Sequence, residues 1–176
     1  LEEGDIKARD IDEVVVGTAY TPSALLRLLP HFHQNQKSSG QFSPALHGYL
    51  HYQSLLKSCG LEKLEYRVNL RILKHKLRKI TKVPIILVDH HESHAQAAYR
   101  TQGNKRALVL TLDAMGDGTS STVWMGREST LIPLWRQNGL AAINLFYSRI
   151  TELLGFIPLR HEGKITGLAA MAEPHK

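Results

Sequence analysis

Cysteine is almost missing from this chain. The single Cys59 among 176 residues excludes an internal disulfide and suits a reducing cytoplasm, the expected location. Long hydrophobic runs are missing too. The longest, Val83 to Val88, falls far short of the roughly 20 apolar residues a membrane helix needs, so no membrane partner is expected. No basic, apolar and small-residue signal pattern opens the chain. Aromatic side chains are few, and none alternates with the cations between Arg67 and Lys82. That removes the stacking platform single-stranded nucleic acid uses. An initiating methionine is absent, Leu1 standing first, and the expectation is a piece of a longer protein.

What is present is globular in character. Hydrophobic residues at 43% and charged ones at 22% can build a core and solvate its surface. The net charge of +6 owes much to the stretch from Arg67 to Lys82. Read as a helix, that stretch places Leu70, Leu73, Leu77 and Ile80 on one stripe, with Arg71, Lys74, Lys79 and Lys82 elsewhere. A patch for RNA or another polyanion is one reading. The solvated side of an amphipathic helix is the plainer one, and nucleic acid is not the expected partner.

Asp12 to Gly17 predicts a short buried strand around three valines. Pro22 opens a helix through Leu29 that Pro30 stops. His31 to Ser43 is polar and predicts a mobile loop, and helices follow over about Pro44–Ser58 and Leu61–Ile80. Pro84 to Val88 predicts a central strand covered on both faces.

After Gly103 the texture changes. Ala107–Leu112 predicts a buried strand, then comes a glycine-rich turn over 114–118, then strands over Thr119–Met125 and Leu131–Trp135, Pro133 placing the last near an edge. Ile143, Phe146, Tyr147, Ile150, Leu153 and Leu154 fall at helical spacing and predict a core stripe ended by Gly155. The fold class is α/β, a mixed sheet with flanking helices, with one unit over 1–103 and a second over 104–176.

Asp89-His90-His91-Glu92-Ser93-His94-Ala95 carries the clearest chemistry. Asp89 can cap a helix, with Glu92 completing a capping box. His90 and His94, four apart, then share one helix face with Cβ atoms about 5–6 Å apart, while His91 points elsewhere. They follow a strand's carboxyl end, where open α/β sheets place ligands. Asp113 ends the next strand, and two imidazoles with one carboxylate suit Fe(II), Zn or Mn. Asp113 could instead simply form the turn. Gly116 and Gly118 would let the backbone approach a phosphate, with Thr119 donating a hydroxyl, or would simply make a hairpin. His47 and His51 show the same spacing without a preceding strand or following glycine turn, and no metal is expected there.

Asp89 to Ala95, Leu110 to Thr119 and Glu162 to Ala169 together resemble the O-carbamoyltransferases of nodulation and antibiotic biosynthesis. The resemblance covers about residues 84–170. It implies an actin-like (ASKHA) two-lobed catalytic domain, related to the tRNA threonylcarbamoyl-adenosine synthases, of which this chain is a fragment. It implies His90, His94 and Asp113 as ligands of a metal, usually iron; Gly116, Asp117, Gly118 and Thr119 as a phosphate loop; and Glu162, Gly163 and Lys164 as a loop near the nucleotide. It further implies carbamoyl transfer from carbamoyl-adenylate, made elsewhere in the protein from carbamoyl phosphate and ATP, to the hydroxyl of a small alcohol. Further ligands would come from missing parts of the full-length chain, so the fragment alone would be inactive. The tRNA-modifying branch of the fold, or a noncatalytic actin-like nucleotide module, are the alternatives.

Overall fold

The computed structural model describes residues 10–19, 21–28, 44–78, 82–158 and 160–172, the side chains at 25, 44–47 and 50 excepted. The loop expected over 31–43, the helix ends at Leu29 and Ile80, and the stop at Pro30 lie outside the described residues. Strand β1 (Val14–Val16) pairs in parallel with β2 (Ile85–Leu87), Val14 opposite Ile85. A parallel pair needs a long crossover. Helices α1 (Ala24–Leu28), α2 (Pro44–Ser58) and α3 (Glu62–Leu77) lie along it.

Both strands were expected to be buried, and neither is buried on two faces. Ile85 and Leu87 are covered, but Val15 is 56% and Ile86 41% exposed. The reason is the two-stranded sheet, packed by α3 on one side. An apolar run marks a strand without saying how many layers enclose it.

Helix α3 turns a polar side inward. Its buried Glu65 accepts from the Ala24 N–H at 2.6 Å and from Asn69 Nδ2 at 3.3 Å, while the Tyr52 hydroxyl donates to its other oxygen at 3.3 Å. Leu70, Leu73 and Leu77 are half-buried, and Arg71 and Lys74 face solvent, as an amphipathic surface helix requires.

Helix α4 (His90–Thr101) leads from β2 into an antiparallel meander of β3 (Arg106–Gly116), β4 (Thr119–Arg127) and β5 (Thr130–Asn138), in that order across the sheet. The expected strands are all there and longer. Ala114, Met115 and Gly116 belong to β3, with an irregular register between Leu112 and Gly116, so the turn is only Asp117-Gly118. Both turn residues have positive φ, 49° and 71°, the conformation a two-residue hairpin demands. Pro133 sits in edge strand β5 as expected.

Ala95, Tyr99, Val109 and Trp124 form the core between α4 and the meander. Gly126 lies beneath the Tyr99 ring, where a Cβ would strike the aromatic carbons. The opposite face of β3 corrects the expectation of a buried strand: Leu108, Leu110 and Leu112 are 57%, 59% and 67% exposed. Side chains on a strand alternate, and α4 covers only one face.

Helix α5 (Ile143–Leu153) ends at Gly155 as expected, but its apolar stripe is not core. Ile143, Phe146 and Leu153 are 71%, 69% and 81% exposed, whereas Ser148 and Thr151 are buried. Periodicity locates a stripe; only the neighbouring layers decide whether it is covered. Helix α6 (Glu162–Met171) follows, anchored by buried Ile165.

Candidate metal centre

The site begins where β2 ends. Asp89 leaves the strand in extended conformation and accepts from the N–H groups of His91 and Glu92 at 3.0 and 3.2 Å, capping α4. Lys57 of α2 steadies that carboxylate at 3.3 Å. With the start fixed, His90 is the first helical residue and His94 lies one turn further along the same face.

Strand β3 brings Asp113 to them. His90 Nε2 lies 2.7 Å from Asp113 Oδ2 and 3.2 Å from His94 Nε2. One ligand atom from each residue falls within 4.8 Å of the others. An ion bonded at about 2.0–2.2 Å would hold its ligand atoms roughly 3–3.5 Å apart, so small side-chain adjustments suffice. His90 and Asp113 are half-buried and His94 is exposed, leaving one side open to solvent.

The His90–Asp113 hydrogen bond raises the His90 pKa above its ordinary value, assisted by the charges of Asp113, Asp117 and Asp89 and opposed by burial. The same bond holds the Asp113 pKa below the usual carboxylate value, with the Ala114 N–H also donating to it at 2.6 Å. The two directions agree. This is a charge-assisted pair whose proton an incoming cation must displace.

All four residues nominated for phosphate are buried. Gly116 lies under the His90 imidazole, where a Cβ would fall on the ring. Asp117 is wholly enclosed: its carboxylate accepts from the Ala19 N–H at 2.7 Å, the His90 N–H at 2.9 Å and the Thr18 hydroxyl at 3.1 Å. Its own N–H donates to Thr21 Oγ1 at 2.8 Å. A Cβ on Gly118 would stand 2.7 Å from the Gln53 carbonyl of α2. Thr119 keeps a buried hydroxyl with no hydrogen-bond partner among the described residues. The glycines are therefore explained by close packing, and a larger side chain at 118 would test folding before it tested phosphate binding.

Glu162, Gly163 and Lys164 open α6, on a separate element. Glu162 accepts from Ser148 Oγ of α5 at 2.7 Å, and Lys164 Nζ lies 3.2 Å from His161 Nε2. Gly163 and Lys164 are exposed. Of the other histidine pair at this spacing, His51 is exposed and the His47 side chain lies outside the described residues.

His91 is the residue sequence reasoning passed over. It is fully buried, with Nδ1 2.6 Å from Thr111 Oγ1 and Nε2 2.9 Å from the Thr119 carbonyl. A signal existed: His91, Ala95 and Tyr99 recur every fourth residue, the spacing of a buried helix stripe. Burial lowers the His91 pKa and keeps the ring neutral.

Over residues 1–176 the chain matches the family described as carbamoyltransferase N-terminus. It is 32% identical over 90 residues to nodulation protein NolNO of Sinorhizobium fredii, covering 51% of this chain and 13% of that protein. It is 29% identical over 89 residues to nodulation protein NolO of Bradyrhizobium diazoefficiens, covering 51% and 16%. An uncharacterised protein of Synechocystis is 33% identical over 91 residues, covering 52% and 15%. The chain thus spans less than a fifth of these relatives' length.

Proposed function

Since the chain belongs to the carbamoyltransferase N-terminus family, we propose that it carries the metal-binding part of an enzyme moving a carbamoyl group from carbamoyl-adenylate to the hydroxyl of a small molecule. The observation that carries this reading is the convergence of His90, His94 and Asp113 within 4.8 Å. Two neutral imidazoles and one carboxylate fit Fe(II) first, with Zn or Mn as alternatives. Such an ion would supply Lewis acidity, polarising the carbamoyl oxygen or lowering the pKa of the acceptor hydroxyl.

The chain's own residues do the rest. His90 and His94 present their Nε2 atoms on one helix face, and Asp113 adds one negative charge beside them; the hydrogen bond that holds it to His90 in the metal-free protein would give way to the ion. Exposed His94 marks the side from which substrate arrives. In this reading the Gly116–Thr119 turn is the phosphate loop, exposed Lys164 is its charge partner, and Glu162 and Gly163 lie near the nucleotide. The parallel pair with its helices and the meander with α5 and α6 would be adjoining parts of two actin-like lobes.

The test uses the full-length protein with His94→Ala and Asp113→Asn, both at positions open enough to leave the fold intact. Bound metal measured after purification should fall from one equivalent to a small fraction. Carbamoyl transfer should fall at least about 100-fold, the upper end of what disturbing a metal site's surroundings costs. Unchanged metal content in both variants would overturn the metal assignment, and full turnover in the presence of a strong chelator would overturn its part in the reaction.

A further inference from the structure

His91 is the one fully buried histidine among the described residues, and the proposed transfer does not use it. Its hydrogen bonds have only one consistent direction. The Thr119 carbonyl can only accept, so His91 Nε2 carries the proton and Nδ1 must accept from the Thr111 hydroxyl. Thr111 Oγ1 then accepts from the Thr122 hydroxyl at 2.6 Å, and Thr122 Oγ1 accepts from the Trp124 indole, which can only donate. Each bond supports the next, and reversing one would set two acceptors, or at Trp124 two donors, face to face.

The position of this chain matters as much as its polarity. Thr111 and Asp113 are two apart on β3 and share a face. His90 and His91 are consecutive at the start of α4. His90 meets Asp113 while His91 meets Thr111, so two successive helix residues address two successive same-face positions of one strand. Between Leu112 and Gly116 the β3–β4 register is irregular, so the ladder itself does not fix Asp113. Thr111, paired regularly with Thr122, is where the strand is still firmly held. The Asp89 cap fixes where the helix starts but not where it sits along the strand.

We propose that the His91–Thr111 hydrogen bond is a register pin, which holds α4 along β3 so that His90 stands opposite Asp113. His91 is thus a positioning residue for the ligand set. The pin itself concerns the metal-free protein; only its effect on metal affinity rests on the metal reading above.

Thr111→Val removes the hydroxyl, keeps the shape and suits a strand as well as threonine does. Thr111→Ser keeps the hydroxyl. His91→Gln is the second disruption: its amide can still donate to the Thr119 carbonyl but offers Thr111 no acceptor at Nδ1. Crystal structures of the full-length protein without metal are the first readout. The serine variant should keep the His90–Asp113 contact of 2.7 Å. The valine and glutamine variants should part the two beyond about 3.5 Å, past hydrogen-bonding distance. Titration with Co(II) is the second readout: about 10-fold weaker binding for valine and glutamine, and rescue to near the parent affinity by serine. A His90–Asp113 contact unchanged in both disrupted variants overturns the pin, as does weakening by serine equal to that by valine. Failure of the parent protein to bind Co(II) overturns the metal reading instead, with the crystal structures still deciding the pin.

Discussion

At the level of single residues, the site is governed by a proton that His90 and Asp113 share. The folded His90 lies above its ordinary pKa of 6.5, and Asp113 below its ordinary 3.8. For His90 the stabilisation is fully present below 6.5 and is lost as pH rises through the raised folded value. For Asp113 it is present above 3.8 and is lost as pH falls through the depressed folded value. The metal-free pair is therefore firmest between those two ordinary values. Cation binding follows the opposite sense at its upper edge, because neutral His90 is the ligand. Divalent metal affinity should strengthen as pH rises, with its midpoint above 6.5, and Asp113→Asn should move that midpoint downward. Isothermal titration from pH 5 to 8.5 reads this directly, and a midpoint indifferent to the substitution contradicts it. Gly116 shows the limit of reading residues from sequence. A glycine in a candidate phosphate loop also makes room for an imidazole 26 positions earlier, a contact that no local pattern announces.

At the level of elements, the informative sequence signals were the local ones. Asp89 caps α4, as its residue type and position predict, and the Asp117-Gly118 pair turns a hairpin. Pro133 falls on an edge strand. These depend on a few neighbouring backbone groups and hardly at all on the remainder of the fold. The readings that failed needed knowledge of a facing layer: Val15 and Ile86, Leu108 to Leu112, and the α5 stripe are apolar yet exposed. The triad itself was legible because a cap, an i, i+4 spacing and a strand end are each local. His91 was not singled out because its partners, Thr111 and Thr119, are 20 and 28 residues away. The cap gives a quantitative expectation. Asp89→Ala should cost about 1 kcal/mol, within the range of roughly 0.5–2 for lost caps, since it frees two N–H groups and strips Lys57 of a partner. Chemical denaturation measures it; a change smaller than about 0.3 kcal/mol would mean that water replaces the cap without loss.

At the level of the whole molecule, the family assignment rests on the match across residues 1–176, while the proposed chemistry rests on three ligand atoms within 4.8 Å of one another between α4 and β3. The outer face of β3 and the stripe of α5 place large apolar side chains in solvent on elements that touch one another. Asp117 has a further consequence for the molecule as a unit. Its carboxylate gathers the turn after β1, the start of α4 and the tip of the meander at one enclosed point. Beyond the chain connection through α4, the two sheets are mechanically riveted there, so denaturant should melt them in one cooperative transition. Asp117→Ala removes the rivet and takes the acceptor from the N–H groups of Ala19 and His90, while the Thr18 hydroxyl keeps the Thr21 carbonyl at 2.7 Å. Unfolding followed by hydrogen exchange should then split, the parallel pair opening at lower denaturant than the meander, whereas a single shared midpoint in the variant would show that the sheets are bound together by other means.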